Sequence, residues 1–178
     1  MPSPPLSRTM PAPTITYTPR AGNSEGDDDF QVIPTFGVLP MYTADQPYSY
    51  ADVVPNFNPM TLLHGEQYLE IRQFPVPTAA DLVSRSSLVE VVDKGDGKAA
   101  VLKNAIAVTD AHTGRDVFYN ETTVFLRGSG GFGGERAPAD RGSATAVNAP
   151  PKRAPDYVHE SPTGVDQAAL FRLSGDYK

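Results

Sequence analysis

Two short turns, Asp93-Lys-Gly-Asp-Gly97 and Asp110-Ala-His-Thr-Gly114, separate three long runs rich in Ala, Val, Ile, Thr and aromatic residues. Asp-Gly pairs and lone glycines supply the left-handed backbone that a tight reversal needs, and β-branched runs on either side favour pleated strands. The runs 82–92, 98–109 and 115–127 therefore read as consecutive hairpin-linked strands, preceded by another over Leu62–Ile71 that Pro75 and Pro77 cut off. Alternation in 82–92 is mixed. Strands of this length, about 11 residues, exceed the usual range and predict a curved antiparallel sheet with one face covered by helix.

The rest of the chain is less regular, with 18 Pro and 15 Gly in 178 residues. Residues 1–13 carry five prolines and read as a disordered tail. Residues 14–18 alternate in the strand manner, Pro19 ends them, and residues 20–29 form a polar link. Pro34 suits the first turn of a short helix over about 35–39, with Pro40 pushing the chain out of it. Residues 43–60 read as irregular. After the fourth strand comes the glycine turn Gly128-Ser-Gly-Gly-Phe-Gly-Gly134, then a linker over 135–162. A final helix follows, with Thr163 or Asp166 as its cap and Gly175 as its end. The expected organisation is a tail (1–13), a sheet domain (14–134), a linker (135–162) and the start of a further domain (163–178).

Several function classes are disfavoured. The formal net charge is -6 and no basic cluster is present, which argues against a nucleic-acid partner. With no cysteine there is no disulfide, thiolate nucleophile or Cys-based zinc site, and three scattered histidines do not suggest a metal cluster. No apolar run approaches the roughly 18 residues that span a bilayer. The start of the sequence has no secretory apolar region, and its last three residues are no peroxisomal address.

Candidate residues carry plain readings beside chemical ones. The glycine turn lacks the Lys-Ser/Thr of a phosphate loop and follows an antiparallel strand, so it reads as a turn or a substrate-contacting loop. His64 is an ordinary histidine or a ligand contact, and Gly65 beside it lets another group approach the backbone. Lys94 is a solvated turn residue or a partner for a substrate phosphate. Glu66 and Glu70 lack the marks of a glycosidase carboxylate pair. His112 and His159 read as surface residues, and Asp176 as a carboxylate just past a helix end.

Three segments shift these readings: Leu63-His-Gly-Glu-Gln-Tyr-Leu-Glu70, Phe125-Leu-Arg-Gly-Ser-Gly-Gly-Phe-Gly-Gly134 and Asp166-Gln-Ala-Ala-Leu-Phe-Arg-Leu-Ser-Gly-Asp176. With Phe30-Gln-Val-Ile-Pro-Thr-Phe-Gly-Val38 and Val92-Asp-Lys-Gly95, they resemble the hydratase 2 family, also called MaoC-like dehydratases, from about residue 13 to 176. This is the (R)-specific 2-enoyl-CoA hydratase unit of peroxisomal multifunctional β-oxidation enzymes. The resemblance implies an α+β, hot-dog-type curved antiparallel sheet with helix, one incomplete half of a double hot dog. It implies acyl-CoA as substrate, no separate cofactor and no metal. Asp176 falls on the family's catalytic aspartate, and His64, Gly65 and Lys94 fall on CoA-thioester contacts.

In the family's motif, Gly-Asp-x-Asn-Pro-Leu-His, the aspartate and histidine share the proton transfers that add water across the enoyl double bond. Here Gly175-Asp176 is followed by Tyr177-Lys178, so the motif histidine is expected from elsewhere, and the chain alone is expected to be inactive. A family member also carries a helix after its first strand, for which 19–26 is too short and polar. Three readings follow: a hydratase-related enzyme, a non-catalytic acyl-CoA-binding subunit that pairs with a C-terminal hot-dog partner or with itself, and the product of a truncated gene model. The resemblance implies a peroxisomal location; a missing address implies a cytoplasmic one.

Overall fold

The computed structural model describes residues 14–17, 31–147 and 149–174. The expected tail over 1–13, the 19–26 segment and Asp176 lie outside the described residues. The chain divides into two units, Met1–Thr145 and Ala146–Lys178.

The first unit is one antiparallel sheet of five strands: β1 (Thr14–Tyr17), β2 (Leu62–Ile71), β3 (Ala80–Asp93), β4 (Ala100–Asp110) and β5 (Asp116–Leu126). Their spatial order is β1-β3-β4-β5-β2, so β1 and β2 are the edges. Both reversals form where Asp and Gly place them. In the second, the Asp110 carboxylate accepts from the backbone N–H groups of His112 and Thr113 and from the Thr113 hydroxyl. Gly114, at φ 69°, turns the chain into β5. The β2–β5 register shifts between His64 and Glu66, and the β3–β4 register between Leu88 and Glu90.

The two sides of the sheet differ in chemistry. One side carries Leu82, Leu88, Ala100, Leu102, Ile106, Val108, Phe118, Val124 and Leu126, grouped in two hydrophobic clusters. The chain between residues 31 and 61 contributes Val32, Phe36, Met41, Ala44, Tyr50, Val53, Val54 and Phe57 to them. On the other side the middle strands carry Lys103, Glu121 and Thr123, all buried.

The cover on the apolar side differs from the short helix expected over 35–39. It is a ten-residue 3₁₀ segment, Pro34–Thr43, that runs through Pro40. Proline lacks the N–H that would continue a ladder, but its carbonyl is held by the Ser84 hydroxyl at 2.9 Å and the Thr43 hydroxyl at 2.9 Å. Residues 43–60, expected to be irregular, contain the single-turn helix α1 (Tyr50–Val53). Ser49 and Asp52 close a capping box around it, a pattern visible in the sequence as Ser-x-x-Asp. A second 3₁₀ turn, Pro59–Thr61, starts on the Asn58 side chain and leads into β2.

Amides on the apolar side pin this cover down. Asn120 donates to the Gly37 carbonyl at 3.0 Å and accepts from Gln67 at 3.1 Å. Asn104 accepts from the Tyr48 hydroxyl and donates to the Tyr50 hydroxyl at 3.0 Å. Buried amides without such partners would destabilise the sheet, so the network selects one seating of the segment. In the second unit the described helix is α2 (Gln167–Leu173), with Asp166 at its N-cap position but making no side-chain cap bond. No helix among the described residues is long and apolar enough to cross a membrane.

Candidate functional site

A cavity of about 460 Å³ lies against the polar side of the sheet. Its floor is built from cross-strand neighbours. Val92, Val101 and Phe125 pair along one level of β3, β4 and β5. At the next level Glu90 faces Lys103, Lys103 faces Thr123, and Thr123 faces Glu66 on edge strand β2. Lys103, Thr123 and Glu66 line the cavity, and so do Gly65 and Lys94.

The roof is a strap formed by residues 135–145. Glu135 bridges Val92 in parallel, and its carbonyl accepts from the Asp93 N–H at 2.7 Å. The Ala139 N–H donates to Glu90 at 2.6 Å, and Arg141 pairs with Glu121, the two side chains only 14% and 7% exposed. A turn in which Thr145 bonds Asp140 closes the strap and brings Ala144 and Thr145, with Pro138, over the cavity. Glu121 also accepts from the Tyr119 hydroxyl at 2.7 Å. Burial, then this bond to a carboxylate, pushes the Tyr119 phenol up to about 12. Arg141→Ala is expected to release the strap. Losing a charge-assisted pair of this kind speeds amide exchange at Ala139 and Thr145 by roughly ten- to a hundredfold, read by hydrogen–deuterium exchange. Unchanged exchange there would show that the pair does not hold the roof.

The sequence candidates separate in space. Gly65 and Lys94 meet in the cavity although they lie 29 positions apart in the chain. Gly65 is tight: a Cβ there would sit 2.5 Å from the Phe125 ring and 3.3 Å from the Thr123 carbonyl. The Lys94 ammonium donates to the Arg136 carbonyl at 3.4 Å and stays partly open. His64 pairs in register with Val124 and so belongs to the opposite side of the sheet from Glu66, in an exposed position. Asp176 lies outside the described residues. The residues that sequence reasoning passed over are Lys103, Thr123 and Glu90. Lys103 sits in a run of Ala, Val and Leu, and that placement of a lysine on a central strand was the available signal.

The glycine turn has a different occupant from the phosphate considered for it. Asp93 is fully buried, and its carboxylate accepts from the N–H groups of Gly95 at 2.8 Å, Gly131 at 2.7 Å and Gly133 at 2.7 Å. Those bonds, Gly131's above all, hold the carboxyl down at about 2 against the burial that opposes them, with Arg136 helping. The loop's anion-binding capacity is spent on the protein's own carboxylate. Gly130 is forced by packing, since a Cβ would lie 2.4 Å from the Gly95 carbonyl oxygen.

Known proteins are similar to this chain in sequence and in fold. Residues 23–128 match the MFE-2 hydratase 2 N-terminal domain family. The chain is 59% identical over 153 residues to the peroxisomal hydratase-dehydrogenase-epimerase of Neurospora crassa, covering 86% of this chain and 17% of that one. It is 40% identical over 161 residues to the peroxisomal enoyl-CoA hydratase 2 of Arabidopsis thaliana, covering 85% of this chain and 49% of that one. The chain thus spans about half or less of the length of these relatives. Among solved structures, the MaoC-like dehydratase of Phytophthora capsici superposes with a TM-score of 0.64 at 29% identity, over 93% of this chain and 63% of that one. The antiparallel sheet with short helical cover is the α+β hot-dog arrangement of that neighbour. Sheet, glycine turn and matched residues lead to one conclusion: the chain belongs to the MFE-2 hydratase 2 N-terminal domain family.

Proposed function

We propose that this chain is the coenzyme A thioester-binding half of an (R)-specific 2-enoyl-CoA hydratase, acting in the peroxisome. The observation that carries the proposal is the meeting of Gly65 and Lys94 in one cavity. Gly65, having no Cβ, leaves the room in which the Phe125 ring lies as part of the cavity wall, and Lys94 in the same lining offers a cation to a phosphate.

Water addition needs a base for the attacking water and an acid for the α-carbon. Among the described residues lining this cavity, Glu66 is the one carboxylate and there is no histidine. The acid/base pair is therefore assigned to Asp176 and to a histidine from a second hot-dog unit, which seats the enoyl group beside them. On this reading the 178-residue chain binds ligand without turning it over.

Isothermal titration of the chain with crotonyl-CoA tests the reading. Saturable binding is expected, weakened roughly fivefold in Lys94→Ala, the scale of one partly exposed ion pair. Loss of the 2-enoyl thioester absorbance is expected only after addition of a separately purified hot-dog unit bearing the Asn-Pro-Leu-His motif. No binding by the chain, or full turnover without the second unit, would overturn it.

A further inference from the structure

Lys103 is a buried lysine with little to hold. It is 5% exposed, on a central strand, and lines the cavity. Its ammonium faces Glu90 Oε2 at 3.5 Å, and that oxygen is buried without a hydrogen bond. The other Glu90 oxygen is taken by the strap, through the Ala139 N–H at 2.6 Å. Across the same level, Thr123 donates to Glu66 at 3.0 Å. One wall of the cavity thus offers ammonium N–H donors beyond the ion pair with Glu90 and, two strands away, a carboxylate acceptor.

The chemistry of that wall selects its ligand. A hydrocarbon chain seated here would cover the Lys103 ammonium without giving it an acceptor, which is costly. An anion at this wall would meet the Glu66 carboxylate beside a Lys103 whose charge Glu90 already partners from behind the lining. A secondary amide fits, because it presents one acceptor and one donor pointing opposite ways. Lys103 and Glu66 lie two strand spacings apart, about 10 Å between backbones. An amide with a hydrogen bond of about 2.9 Å at each end spans roughly 8 Å, within reach of side chains that lean together.

We infer that Lys103 and Glu66 are specificity-determining residues that grip an amide of the ligand's pantetheine arm, Lys103 donating to its carbonyl and Glu66 accepting its N–H. This inference rests on the coenzyme A reading of the cavity. It makes the polar wall indifferent to acyl chain length, since every acyl-CoA carries the same arm.

The test uses two thioesters of one acyl group: S-crotonyl-pantetheine, which has the amides, and S-crotonyl-ethanethiol, which lacks them. Each displaces crotonyl-CoA from the full chain. The wild type is expected to prefer the pantetheine thioester by roughly ten- to thirtyfold, the scale of a hydrogen bond to a charged group. The double substitution Lys103→Met/Glu90→Gln removes both charges of the buried pair together, so neither is stranded. It should collapse that preference while leaving the ethanethiol thioester's affinity unchanged. Glu66→Met, at an exposed position of an edge strand, should reduce the preference without touching the core, and it decides the matter if the double variant does not fold. A preference that survives these changes, or an equal loss for both thioesters, overturns the inference. Failure of the wild type to bind crotonyl-CoA at all overturns the coenzyme A reading itself.

Discussion

Phe118→Ala is expected to cost about 3–5 kcal/mol, read from the midpoint of urea or thermal unfolding. The ring is fully buried on β5 among Leu82, Ile106, Val108 and Val117, and the cover supplies Phe36 and Met41 from above. It also fits against the backbone of that cover. A Cβ on Gly37 would lie 2.7 Å from the ring, so no other residue lets the 3₁₀ segment settle so low. Removing the ring opens a void under a segment held at that point by the Asn120–Gly37 bond, which limits its collapse. Against a total of about 5–15 kcal/mol for a domain, the loss is severe. Gly37→Ala should cost about 1–3 kcal/mol by overpacking. The two together should cost less than their sum, because the void takes the added methyl. Strict additivity would show that ring and glycine do not share one space.

The second large effect concerns acid. The Asp93 carboxyl sits at about 2 in the folded chain, against an ordinary 3.8. Its native form is favoured while the carboxylate is charged, so its stabilisation is complete above the unfolded value. That stabilisation is lost as pH falls through 3.8 toward 2, where the folded group also takes its proton. Asp110, lowered by the Thr113 N–H and hydroxyl, contributes in the same sense. Stability measured by denaturant titration should fall steeply between pH 4 and 2. Asp93→Asn should lower stability at pH 7 and flatten much of that acid slope, because its amide NH₂ would face the glycine N–H donors. Asp110→Asn should flatten it less, having fewer buried bonds to lose. Gly130→Ala strikes the same loop without altering a charge, and should cost about 1–3 kcal/mol at every pH. An acid slope identical in wild type and Asp93→Asn would remove Asp93 from the account.

How much of this was written in the sequence depends on distance along the chain. Strand β2 fell where alternation and proline placed it, and β3, β4 and β5 lay within two residues of their expected limits, because Asp-Gly turns act locally. The glycine turn was legible as a turn, but its purpose was not, since the carboxylate it wraps lies 38 and 40 positions earlier. Lys103 was passed over on its central strand, because the strap residue that holds its partner Glu90, Ala139, lies some 35 residues on. The α1 capping box was legible and was passed over amid prolines. His64 and Gly65, adjacent in sequence, belong to different sides of the sheet because of a register shift that no turn signal announces.

Those two register shifts, at Gly65 on β2 and at Val89 on β3, flank the same Lys103–Thr123 pair from opposite sides. Each adds one residue and so inverts which side chains look up and which look down from there on. That is why 82–92 alternates imperfectly, and why Glu66 and Glu90 lie on the same side of the sheet. Removing the extra residue at either place would leave a regular ladder with the same facing, whereas adding one more would turn the rest of that strand over and take its carboxylate off the side that Lys103 occupies. In these two strands the number of residues, and not their identity alone, decides which side chains share a side with Lys103.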